Sequence, residues 1–156
     1  MQCAWEGGSP NANNMQFSGA CTRRSARVRE VLQAQPRSPA DQQVTIRTSD
    51  VHGFGAFAVT PIPAHTTLGR IQGTVLRPAQ VQPAQRGYIW QPSQQKCIDM
   101  RAKNGNWLQF VNDAHNTRSK TNCRFTSVGT LRTKRAIRAG EELLVSYGRS
   151  FWAGKR

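Results

Sequence analysis

At 156 residues the chain can fold as one domain with a sizeable core, and it is too short for two. It carries 22 Lys and Arg against 8 Asp and Glu, a formal charge of +14, so its long-range field attracts polyanions and repels cationic partners. No apolar run approaches the roughly 20 residues of a membrane-spanning helix, so no membrane partner is expected.

Residues 1–43 differ from the rest. "GGSPNANN", "CTRRSARVREVLQAQ" and "PRSPADQQ" read as a flexible basic arm, with a short helix possible where Val28, Val31 and Leu32 share a side. The opening "MQCAWEGGSP" has neither a basic leader nor an apolar core, which points to an intracellular protein. From Val44 the pattern becomes short β-type runs separated by Gly, Pro and Asn: "VTIR", "GAFAV", "TLGRIQGTVL", "YIW", "KCIDM", "NCRFTSV", "TLRTKRAI" and "ELLVSY". The main helical candidate is "NWLQFVND", where Trp107, Phe110 and Val111 fall at i, i+3 and i+4. A small, mainly β domain with one or two helical turns follows. Cys3, Cys21, Cys97 and Cys123 are widely spaced without a CxxC pair, so they read as reduced thiols, with no metal site.

Four stretches carry chemistry. In "HGFGAFAV", Gly53 and Gly55 flank Phe54; such glycines serve either a tight hairpin or the close approach of backbone to a ligand. "NWLQFVNDAHNTRSKTNC" runs an apolar turn into Asn112 and Asp113, then a basic loop into Asn122 and Cys123. Residues 114–139 contain no acidic residue and seven Lys or Arg between positions 118 and 138, which is either a solvated face or a nucleic-acid or acidic-protein contact. In "GEELLVSYGRSFW", Tyr147 ends a mostly apolar row before Gly148. Its hydroxyl needs a partner, structural or bound.

In this order, Gly-x-Gly, "F-V-N" with "N-C", and "I-x-x-G-E-E-L-x-x-x-Y-G" resemble the SET domain family of protein lysine methyltransferases, over roughly residues 44–152. "NWLQFVN" with "ELLVSYG" is similar to the PR branch, and "SYGRSFW" to a motif of some histone H3 methyltransferases. The resemblance implies a mainly β, SET-type β-clip fold: small curled sheets, short helical turns and a C-terminal pseudoknot in which the last segment threads beneath a preceding loop. It also implies an arm (1–43), a SET domain (44–152) and a tail (153–156).

By position, the resemblance gives Gly53, Phe54 and Gly55 backbone contacts to S-adenosylmethionine, Asn112 the cofactor's amino-acid end, and Asp113 and Trp152 the adenine. Tyr147 matches the catalytic tyrosine and Tyr88 a second tyrosine of the lysine channel, which Phe151 would help cover. Val145 stands where the family often has an aromatic, implying a channel wide enough for di- or trimethylation. The implied partner is a lysine-bearing protein, by analogy a histone tail in the nucleus; the charge run of residues 118–138, read apart from the resemblance, keeps nucleic acid open as a second partner. Asp113, Ala114 and His115 depart from the family's usual His-Ser-Cys. His115 reads as a surface or structural histidine rather than a general base.

Overall fold

The computed structural model describes residues 43–101, 107–115 and 117–153. The arm with its short helix, Cys3 and Cys21, and residues 154–156 lie outside the described residues. Four small sheets make up the described fold. β1 (Val44–Thr48) pairs antiparallel with β2 (Phe54–Ala58), Val44 opposite Ala58 and Thr48 opposite Phe54. Val44 and Ile46 are buried while Arg47 points outward, the period-2 alternation of a half-buried strand.

The run "TLGRIQGTVL" divides at residues 71–73, so that β3 (Thr67–Arg70) and β4 (Thr74–Leu76) join different sheets. β4 and β5 (Ile89–Ser93) flank β6 (Lys96–Asp99), both antiparallel. β3 and β8 (Cys123–Phe125) flank β9 (Thr130–Thr133) in the same manner. The expected helical candidate is a 3₁₀ turn, Trp107–Phe110, with all four residues buried. It leads into β7 (Asn112–Asp113), which pairs parallel with β10 (Leu144–Val145). A single α-turn, α1 (Arg149–Trp152), closes the described chain. Leu68, Leu108, Leu131, Ile137 and Leu143 meet in the core, each at 1 % exposure or less. Burial of one such side chain stabilises by about 1.5–3 kcal/mol.

Residues 140–145 tie these sheets together. Gly140 N–H donates to the Ala58 carbonyl and Leu143 N–H to that of Ala56, so the first half of the segment lies against β2. Beyond it, Ala114 N–H donates to the Val145 carbonyl at 3.1 Å and Asn122 N–H to the Leu144 carbonyl at 3.0 Å. Successive carbonyls of an extended chain point to opposite edges. The loop that leaves at Ala114 and returns at Asn122 therefore passes over the strand, the threading expected of the C-terminal segment. Asn122, 1 % exposed, locks it: its Oδ1 accepts from Leu144 N–H at 2.8 Å, and its Nδ2 donates to the Glu142 carbonyl at 2.7 Å.

Glu141 reinforces the crossing. Its carboxylate accepts from Arg135, from Arg138 N–H and from Asn122 Nδ2. The Arg135 hydrogen bond, foremost among these, holds the carboxyl at about 2. Cys97 and Cys123 are free and buried, and burial first, then Glu141, pushes the Cys123 thiol up to about 12, leaving it unreactive. A carboxyl with a lowered folded-state pKa stabilises the fold above its ordinary value and loses that contribution as pH falls. Stability of the parent protein is thus expected to drop between about pH 4.5 and 2, and to drop less steeply in Glu141→Gln, when unfolding midpoints are measured across that range.

Candidate active site

Tyr147 lies two residues past the end of β10, after Ser146, and Gly148, at φ 86°, then turns the chain into α1. The phenol donates to the Val111 carbonyl at 2.6 Å, and Tyr147 N–H donates to Asp113 Oδ2 at 2.7 Å. Burial first, then the Asp113 carboxylate, raises the phenol above its ordinary pKa. It stays protonated at neutral pH. With its proton committed to Val111, the oxygen is left to accept.

Two cavities meet at this residue. One, of about 600 Å³, is walled by Phe54, Tyr88, Asn112, Asp113 and Trp152 among others. The second, of about 570 Å³, is walled by Ile71, Trp90, Met100 and Phe125 together with Arg86. Tyr147, Phe151, Gln109 and Gly87 border both. Tyr147 thus stands in a partition between two chambers, each walled by both polar and apolar groups.

Asn112 organises the first cavity from below. Its Nδ2 donates to the carbonyls of His52 (3.2 Å) and Phe54 (3.1 Å) and to Glu142 Oε1 (2.8 Å). Ser49 Oγ donates to the same carboxylate at 2.8 Å. The loop carrying the Gly-x-Gly is therefore clamped to the threaded segment. Gly55 is part of the clamp, since a Cβ there would come within 2.2 Å of Glu142 Oε1.

Asp113 organises the other rim. Oδ2 accepts from Tyr147 N–H and, at 2.9 Å, from Trp152 Nε1, while Oδ1 accepts from His115 N–H at 2.8 Å. The His115 ring stacks on Trp152 at 4.6 Å, and Phe151 meets Tyr147 edge-on at 4.7 Å. One carboxylate, 8 % exposed, fixes the tyrosine backbone and an aromatic rim together.

Of the residues singled out in the sequence, Phe54, Tyr88, Asn112, Asp113, Tyr147, Phe151 and Trp152 border the first cavity. Tyr88 does so from the end of a 3₁₀ turn, Pro83–Tyr88, rather than from a strand. Gly53 sits exposed beside the cavity loop, its carbonyl accepting from Ser49 N–H at 2.9 Å, and neither Gly53 nor Gly55 borders either of these two cavities. Gly55 is required by Glu142 instead.

Val145 departs from its expected place. It is wholly buried in the core and borders neither cavity. The regular strand stops at Val145, so alternation does not carry its side chain to the face of Tyr147. Ser49, Val111 and Glu142 are the site residues that sequence reasoning missed. For Glu142 the signal was present in the glycine-glutamate-glutamate run, but its partners lie 30 and 93 residues away.

Two outcomes follow. Asp113→Ala removes the acceptor of three N–H groups and should lower stability by about 2–3 kcal/mol in urea unfolding, with red-shifted tryptophan emission as Trp152 loosens. Unchanged stability and emission would refute the pinning role. Val145→Tyr should act as core overpacking, costing about 1–3 kcal/mol or more, rather than as a change in channel width. Full stability with altered methylation products would overturn that placement.

The sequence pattern of the SET domain matches residues 53–148, well over half of the chain, and the match includes Phe54, Tyr88, Asn112, Asp113 and Tyr147. No curated protein matches the chain. The chain belongs to the SET domain family, whose members are in general protein lysine methyltransferases that use S-adenosylmethionine.

Proposed function

We propose that the chain transfers a methyl group from S-adenosylmethionine to the ε-amine of a protein lysine, with a nuclear histone tail as the default substrate carried over from the family. The observation that supports this best is the position of Tyr147 in the wall between two cavities, its proton already given to Val111.

The first cavity suits the cofactor: its volume of about 600 Å³ is that of a small-molecule site, with Phe110 and Trp152 as flat apolar surface. Among the described residues Asn112 Oδ1 accepts no hydrogen bond, so it offers an acceptor to an ammonium group, while the amide's nitrogen holds the glycine loop. Bound there, S-adenosylmethionine supplies an electrophilic methyl on a sulfonium. This chain's part is to hold the substrate's amine and set its direction.

A lysine has a reference pKa of about 10.4, so only about one in a thousand is neutral at pH 7. The apolar residues in the second cavity's lining, Ile71, Trp90, Met100 and Phe125, oppose the ammonium form by desolvation, and the Arg86 guanidinium at the same cavity opposes it by charge. A phenol whose proton is engaged accepts from an amine N–H and leaves the nitrogen lone pair facing the first cavity. Fixing that direction can supply up to about 7–11 kcal/mol in favourable cases.

A second reading of the substrate rests on charge. Among the described residues no carboxylate borders the second cavity, whereas Arg86 does. This favours a lysine in neutral or acidic surroundings, as in a non-histone protein, over an arginine-rich tail.

The test is transfer of labelled methyl to mixed histones and to neutral or acidic lysine peptides, with calorimetry for the cofactor. Tyr147→Phe removes the acceptor and should lower turnover by about 10²-fold or more while leaving cofactor affinity within a few-fold. A folded protein that neither binds the cofactor nor transfers methyl would overturn the reading and favour a docking module.

A further inference from the structure

Arginines and a lysine gather on the outer face of the β3–β9–β8 sheet. In that sheet Cys123, Leu131 and Thr133 point into the protein, and Phe125 reaches the second cavity. Alternation turns Arg124, Arg132 and then Lys134 outward, with Arg70 at the edge opposite Thr130 and Thr67 opposite Arg132. Arg124 and Arg132 are direct cross-strand partners, an arrangement of like charges that is unfavourable unless an anion lies over it. Neither they nor Lys134 have a carboxylate partner among the described residues, and none of the three strands contains an acidic residue. Arg132 Nη2 donates to the His65 carbonyl, which holds the guanidinium in place, while its Nε is buried with no partner. Arg135, by contrast, is neutralised by Glu141.

We propose that this face binds the phosphate backbone of duplex nucleic acid. Guanidinium groups match phosphate oxygens with paired N–H donors, and the hydroxyls of Thr67, opposite Arg132, and Thr130, opposite Arg70, add neutral contacts. No aromatic side chain lies on the strands' outward positions, so there is no platform for stacking unpaired bases. Binding is therefore independent of sequence and does not favour single strands. Because the face is the back of a sheet whose other side borders the second cavity, the duplex and a lysine substrate can be held at once. The proposal does not depend on methyl transfer.

The experiment is fluorescence anisotropy of the full chain with a labelled mixed-sequence DNA duplex, its single strand and polyglutamate, across a salt series. Arg124→Ala/Arg132→Ala is compared with Arg77→Ala, an exposed arginine outside this sheet, with thermal unfolding to confirm folding. The expected result is duplex binding at least as tight as single-strand binding and tighter than polyglutamate binding. The log–log salt slope should shrink by about 2 in the double variant and stay unchanged in Arg77→Ala. An unchanged slope in a folded double variant would overturn the proposal, as would no duplex binding at low salt. Equal or tighter retention of polyglutamate would overturn it in favour of an acidic protein surface.

Discussion

The hydrogen bonds by which Asn122 holds Leu144 and Glu142 are the constraint on which the rest of the molecule depends. A strand clasped on both edges cannot shift register, because each slip of one residue would invert its buried and exposed faces. Leu143, Leu144 and Val145 are all buried, so such a slip would also forfeit several kcal/mol of apolar burial. What emerges from the clasp is consequently fixed in position: Ser146 at the second cavity, then Tyr147 between the two.

Two carboxylates translate that fixed strand into a site. Glu142 faces back, joining Ser49 and Asn112 so that the glycine loop follows the strand. Asp113 faces forward, collecting Tyr147, Trp152 and His115. Both are satisfied by protein donors, as the burial of a carboxylate requires. They are thereby removed from any role in attracting a cationic substrate. Glu141, engaged by Arg135, is removed in the same way. The excess positive charge is displayed outward, above all on the β3–β9–β8 sheet.

Much of this was legible in the sequence where local pattern decides structure. The β-type runs after Val44 became strands because Gly, Pro and Asn punctuate them, and "NWLQFVND" became a buried turn because its apolar residues recur at helical spacing. The ordered motifs gave the threading and the meeting of Tyr147 with Asn112. Other features depend on distant partners. β7 has only two residues and exists because β10 lies beside it, so no local run marks it. Gly55 reads equally well as a ligand contact or a crowded position until Glu142 is placed next to it. Val145 takes its channel role from the family's aromatic at that position, and only the folded chain puts its side chain in the core, away from both cavities. The aspartate at 113 looked like a departure from the family, and only the folded chain reveals the three donors it serves.

The most direct measurement is a titration of the isotopically labelled protein with S-adenosylhomocysteine, the demethylated cofactor, following the amide signals of residues 112 and 147 by NMR. The account predicts that both move together and saturate at one ligand concentration, since they border one chamber. Movement of one without the other, or of neither while binding occurs elsewhere, would contradict it.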